Sequence, residues 1–229
     1  LNEKAYDANS GNGDLEVGDF ALSITNGVAT IGSATPTSIS RIGDHQYVLG
    51  FSLSGTPNGS EQLAVVPIAN SIFDINGTAS SASQSNNTVN LFEKVLPTIS
   101  STALAADNST ITATFSEAVF KSRSASGTGF AGNGDLEVSD FVLSMSGGVA
   151  TLGSATPTSI SKSSNAYTLG INYIGLPNGS EVITVIPAQD AIYDNTGNIA
   201  STTQSNNTKT FNSEKIRIAK SLEFETGYA

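Results

Sequence analysis

One stretch of thirty residues occurs twice in this chain, and the rest is arranged around it. GNGDLEVGDFALSITNGVATIGSATPTSIS at 11–40 returns as GNGDLEVSDFVLSMSGGVATLGSATPTSIS at 132–161, a displacement of 121 residues. The register slips by one where RIGDHQYVLG meets KSSNAYTLG. It then holds at 120 through PNGSE (57–61 and 177–181) to QSNNT (84–88 and 204–208). A period near 120 is too long for a solenoid repeat and suits one independent domain. The chain therefore reads as two copies of one module, each long enough to bury its own core.

Composition narrows what the modules can be. Hydrophobic residues make up 38% of the 229, while charged residues are only 13%, with Ser, Thr, Asn and Gly filling the polar positions. That balance favours strands and turns over helices. Ten basic against 20 acidic residues leave a net charge of −10, which makes nucleic acid and anionic membranes poor partners and cations better ones. Without Cys there is no disulfide framework, thiolate metal site or cysteine nucleophile. No apolar run approaches the roughly 20 residues of a membrane helix. Leu1 is not an initiator Met, so any targeting segment was removed or lies outside this sequence.

The second copy shows the strand pattern most fully. KVLPTISSTALA (94–105) opens on a Pro and predicts an edge strand; DNST (107–110) is a turn; ITATF (111–115) alternates Ile111, Ala113 and Phe115 towards one side. A Ser/Gly-rich stretch, 121–134, reads as a long loop. FVLSM, GGVATL, TSISK, AYTLGINY, EVITVIP and TKTF follow, punctuated by GG, SSN, LPNGS and DNTGN. In the LPNGS turn Pro177 presets φ, while Asn178 and Gly179 tolerate positive φ. Strands every 8–12 residues or so with turns between them predict an antiparallel sandwich.

TFSEAVF (114–120), the LEVSDF run and YDNTGN (193–198), in a module that opens Pro-x-Ile-Ser-Ser, resemble the immunoglobulin-like repeats of bacterial surface proteins. Such repeats occur in S-layer proteins, large adhesins and flagellar-associated repeats. The likeness covers nearly all of 94–214 and most of 1–93. It implies an all-β chain of tandem immunoglobulin-like antiparallel β-sandwiches with Greek-key connections. Modules of this kind serve as spacers, adhesive heads and lattice subunits alike, so the likeness speaks to fold more than to task.

The two copies differ at their start. LNEKAY (1–6) aligns with FSEAVF (115–120) at a displacement of 114, and seven loop residues are missing before Asn12. Everything equivalent to 94–114, two strands, is absent from 1–93. Either Leu1 falls inside a module of a longer array, or another strand fills the gap. With such a gap, Phe20, Leu22, Val65 and Phe73 are expected to be partly uncovered. The segment 215–229 matches neither copy and alternates, with Ile216, Ile218, Leu222, Phe224 and Tyr228 on one face and Arg217, Ser221, Glu223 and Glu225 on the other. It is a candidate donor strand for head-to-tail exchange. It can equally start a neighbouring domain or pair within its own module.

Acidic residues are the candidate metal ligands. Asp14, Glu16 and Asp19 recur as Asp135, Glu137 and Asp140, and Asp74 and Asp194 sit in the DINGT and DNTGN loops. Calcium takes six to eight oxygen ligands, which Asp/Asn/Gly loops at a sandwich end can supply, and similar adhesin modules often hold calcium there. The same acids suit plain turns, where Asp and Asn bond to nearby backbone. As a glycosidase pair they lack an aromatic cleft, and the duplication counts against a single active site. His45 has no nucleophile motif beside it, which leaves it a solvated loop residue. Six sequons, from Asn58, Asn76, Asn86, Asn108, Asn178 and Asn206, read first as turns. Tyr47, Tyr167 and Tyr173 alternate with apolar residues and read as packing residues rather than sugar platforms. The expectation is a non-enzymatic structural or adhesive segment of an extracellular, cell-surface bacterial protein, whose partners are neighbouring copies or repeats. The alternative is a module whose end loops bind a glycan or host protein.

Overall fold

The computed structural model describes residues 1–126 and 129–213. The chain separates into two compact units that divide between Val95 and Leu96. Both are all-β with antiparallel sheets, and among the described residues the helical turns are the short Val17–Asp19 and Val138–Asp140. The five-residue run LEVSD thus turns once before its strand begins.

In the second unit two sheets share one core. Four strands hydrogen-bond in the order Ile160–Ser163, Ala166–Gly170, Thr110–Phe115, Ile99–Leu104, and three in the order Phe141–Ser146, Val182–Pro187, Thr208–Thr210. Ile99–Leu104 is an edge strand, as the Pro at its head leads one to expect. Period-2 patterning sets the facing: Ile111, Ala113 and Phe115 are buried along Thr110–Phe115, and Ile183, Val185 and Pro187 along Val182–Pro187. These residues meet Tyr167, Leu169, Phe141 and Leu143 in one buried cluster. Tyr167 stands edge-on to Phe115 with ring centroids 5.9 Å apart, and its hydroxyl donates to the Val119 carbonyl at 3.2 Å. A buried phenol needs such a partner. Each fully buried aromatic or aliphatic side chain of this kind contributes about 1.5–3 kcal/mol.

The first unit repeats the three-stranded sheet. Phe20–Thr25, Gln62–Pro67 and Thr88–Asn90 pair in the same order, with Phe20 opposite Pro67 as Phe141 is opposite Pro187. A second sheet has two strands, Ser38–Arg41 and Tyr47–Gly50, and a third pairs Thr30–Ile31 with Leu53–Ser54. Among the described residues nothing pairs with the outer edge of Tyr47–Gly50, the edge that Thr110–Phe115 covers in the second unit. The core is correspondingly thin: Ala5, Leu15, Phe20 and Ile72 are buried, and Tyr47, Leu49 and Val65 are only half-buried against them.

Two expectations need correction. Phe20 and Leu22 are not uncovered, being 6% and 3% exposed, and Phe20 packs with the buried Ala5, Leu15 and Ile72; Val65 and Phe73 are half-buried. And 121–134 is not a plain loop: Ser122–Ser126 pairs with Gly129–Asn133 as a hairpin. The candidate donor strand, with Ile216, Ile218, Leu222, Phe224 and Tyr228, lies outside the described residues.

Candidate functional site

Each unit holds a buried glutamate outside the set of candidate metal ligands. Glu61 and Glu181, the last letters of the two PNGSE runs, are fully buried. Glu61 Oε1 accepts from the amides of Val28 at 2.8 Å and Ala29 at 3.0 Å, and Oε2 from Asn58 and Gly59, both at 3.0 Å. Glu181 does the same with Val149 at 2.8 Å, Ala150 at 3.0 Å, Asn178 at 3.1 Å and Gly179 at 3.0 Å. Burial alone would push these carboxyls up; the surrounding amides, Ala29 and Val28 or Ala150 and Val149 foremost, outweigh it and lower both to about 2. Gly27, at φ +66°, and Gly148, at φ +60°, make room: a Cβ on either would lie 2.3 Å or less from the carboxylate. The glutamate thus ties a turn in the strand connection to the PNGS turn, as a latch. Its signal was present in the sequence, since a PNGS turn alone does not require a Glu after it in both copies. Asn178 departs from expectation, because only Gly179 has positive φ and the Asn178 side chain instead accepts the Ser180 amide at 2.9 Å.

The expected metal ligands are placed in turns and ion pairs. Asp194, fully buried, accepts from the amides of Thr196 and Asn198 on Oδ1, both at 2.8 Å, and from Asn198 Nδ2 on Oδ2 at 2.8 Å. Asp74 closes the matching turn with the Asn76 and Thr78 amides, both at 2.8 Å, and the Thr78 amide foremost holds its carboxyl below the usual range. Asp19 and Asp140 each accept from the amide three residues back, Glu16 at 2.6 Å and Glu137 at 2.7 Å. Burial pushes Asp140 up. Glu137 pairs with Lys121, whose ammonium it raises, and Asp135 with Lys162 at 3.0 Å; Asp14 and Glu16 are exposed. Among the described residues no three His, Asp or Glu side chains converge as a metal-ion cluster. His45 is exposed, Tyr167 is in the core and Tyr173 packs against Phe211 at 5.3 Å. Asn108 is buried, and its side-chain amide donates to the Asn212 carbonyl at 2.8 Å.

The inserted hairpin of the second unit is pinned by a cation between two rings. The Arg123 guanidinium lies 4.4 Å from the Phe130 ring centroid and 5.3 Å from that of Tyr193, and donates to the Gly197 carbonyl at 2.8 Å. Gly132 has no space for a side chain, since a Cβ would meet the Phe120 ring at 2.2 Å and the Asp194 carbonyl at 2.7 Å. These contacts turn a Ser/Gly-rich stretch into a hairpin, with Phe130 47% exposed on it.

The first unit presents an open groove of about 550 Å³ whose apolar walls are Leu1, Phe20, Tyr47, Leu49, Val65 and Pro67. The Leu1 amino group donates to the His45 carbonyl at 3.0 Å, as the Phe115 amide donates to the Asn165 carbonyl at 2.9 Å in the second unit. Leu1 therefore stands where Phe115 stands, and the edge beyond it is uncovered by any described strand. No family model, curated protein or solved structure significantly matches this chain. No helix among the described residues is long and apolar enough to cross a membrane.

Proposed function

We propose that this chain is a non-enzymatic structural or adhesive segment of a bacterial extracellular surface protein, built from two immunoglobulin-like Greek-key sandwiches in tandem. The observation that carries the proposal is the duplicated latch: Glu61 and Glu181 each give both oxygens to backbone amides of their own unit. An acid lowered to about 2 and saturated with donors is neither a proton donor nor an effective base near neutral pH. It holds loops against one another, which is what a module under tension requires. Antiparallel ladders supply the rest of that resistance. Pulling the full chain by force spectroscopy tests this: two discrete unfolding events are expected, the fuller second unit yielding at the higher force. A chain that extends without discrete events would overturn it.

A second reading is an adhesin that binds a glycan or host protein, favoured by the hairpin that only the second unit carries, with exposed Phe130 and its ring-bracketed Arg123. A glycan and cell-binding screen decides it. A ligand lost when 122–133 is replaced by the shorter connection of the first unit would establish the binding module.

A further inference from the structure

We propose that Asn133 is a site of spontaneous deamidation, singled out among the Asn-Gly pairs of this chain because a lysine rather than a carboxylate lies against its glycine. The inference goes beyond the structural function and does not rest on it.

An asparagine followed by glycine cyclises when the glycine amide nitrogen, having lost its proton to solvent hydroxide, attacks the side-chain carbonyl carbon Cγ. The new N–Cγ bond closes a succinimide, the Cγ–Nδ2 bond breaks, and Nδ2 takes up a proton and leaves as ammonia. Water then opens the ring at either carbonyl to give aspartate or isoaspartate. The sum is amide plus water to acid plus ammonia, with nothing oxidised or reduced. Glycine permits the attack because no Cβ obstructs its nitrogen. Negative charge develops on that nitrogen, so a neighbouring carboxylate opposes the step and a neighbouring cation favours it.

The chain has six such pairs, beginning at Asn12, Asn26, Asn58, Asn76, Asn133 and Asn178. Five of the six lie against a carboxylate. The Gly59 and Gly179 amides donate to Glu61 and Glu181, each at 3.0 Å, so neither nitrogen sheds its proton without leaving an anion beside an anion. The Glu61 carboxylate also lies against Gly27, and that of Asp7 against Gly13. Asp74 accepts from the Asn76 amide at 2.8 Å and from the Asn76 side chain, and its carbonyl takes the Gly77 amide at 3.1 Å. At Asn133 the sign reverses. Lys121 stands where the first unit has Asp7, and a Cβ on Gly134 would meet its Cε at 3.0 Å. Glu137 pairs with that ammonium and raises it, so Lys121 stays charged in mildly alkaline buffer, while Asp135 is paired with Lys162 at 3.0 Å. Asn133 is exposed, and among the described residues the Gly134 amide has no acceptor. Ser122 Oγ donates to the Asn133 carbonyl at 2.9 Å and so draws electrons from the peptide whose nitrogen must ionise. Isoaspartate at this position adds a methylene to the main chain at the closing pair Ser122–Asn133, which slackens the hairpin that Arg123 pins.

Peptide mapping of the full chain aged in warm, mildly alkaline buffer tests the proposal, with aspartate and isoaspartate read at each pair by mass spectrometry and enzymatic methylation. The wild type is compared with K121Q, with D7K and with itself in urea. In the folded wild type Asn133 is expected to convert at least about tenfold faster than Asn58 or Asn178, which is about 1.4 kcal/mol of activation free energy. K121Q, with an unchanged far-UV spectrum, should slow Asn133 by about fivefold and leave Asn76 as it was. D7K should speed Asn12 by a similar factor. In urea, where no fold sets the neighbours, the six rates should draw together. Four results would overturn the proposal: Asn133 no faster than Asn58 and Asn178, a rate at Asn133 unmoved by K121Q, a rate at Asn12 unmoved by D7K, or the same ranking in urea as in the folded chain. None of the four touches the two-event unfolding expected of the tandem module, so the two ideas fail separately.

Discussion

Tyr47 and Tyr167 hold matching places in the two units, at the same distance from the PNGSE run that follows each. Tyr167 is 1% exposed and locked against Phe115 and Phe141, while Tyr47 is half-buried on the floor of a groove. Leu49 and Leu169, and Val65 and Val185, differ in the same way. The residues are nearly identical, and what differs is the strand beside them. A side chain's burial is thus a property of the sheet it joins as much as of its own character, which is why removing two strands weakens a face without changing one of its residues.

The largest effect that can test this contrast is a truncation in the full core. Phe115→Ala should destabilise the second unit by about 3–5 kcal/mol, whereas Tyr47→Ala in the first should cost about 1 kcal/mol. Urea unfolding followed separately for the two transitions reads both; equal losses would break the comparison.

The latch should behave alike in both units, which sharpens the contrast by isolating what does not depend on the strands beside Tyr47 and Tyr167. Because the folded pKa of Glu61 and Glu181 is about 2, below the ordinary 4.5, each contributes stability that is fully present above pH 4.5. That stability falls as pH drops from 4.5 towards 2. Glu61→Gln and Glu181→Gln each place an amide donor against backbone donors. Both variants should therefore melt lower at neutral pH and lose less on acidification than the wild type, measured by thermal melts across that window.

Gly132→Ala acts on the second unit alone. Its Cβ would collide with the Phe120 ring and the Asp194 carbonyl, so a loss of about 1–3 kcal/mol is expected there, with the first unit unmoved. Smallest of all is Lys121→Ala, which removes an exposed pair with Glu137 and should lower the melting temperature of the second unit only slightly, less still in high salt.

Much of the fold was legible because it is local. ITATF and EVITVIP announced their strands by period, and both appear with alternating burial. DNST announced a turn, and Asn108 takes it at φ 58°. The hairpin at 121–134 was not legible, since Ser and Gly carry little strand propensity; Arg123, stacked on rings 7 and 70 residues away, makes it. Asp74 and Asp194 were legible as turn residues, whereas Glu61 and Glu181 were not legible as latches. Which amides reach an acid depends on chain segments 32 or 33 residues off, as Val28 and Ala29 are from Glu61.

By itself the sequence determined that this is an all-β protein of two related modules, since strand period, turn chemistry and internal repetition all act over short stretches or by direct comparison of copies. Only the tertiary structure decided which acids are buried and which strand edge is open. Both are outcomes of long-range pairing: a carboxylate becomes a latch only when distant amides converge on it, and an edge is exposed only when no strand arrives to cover it.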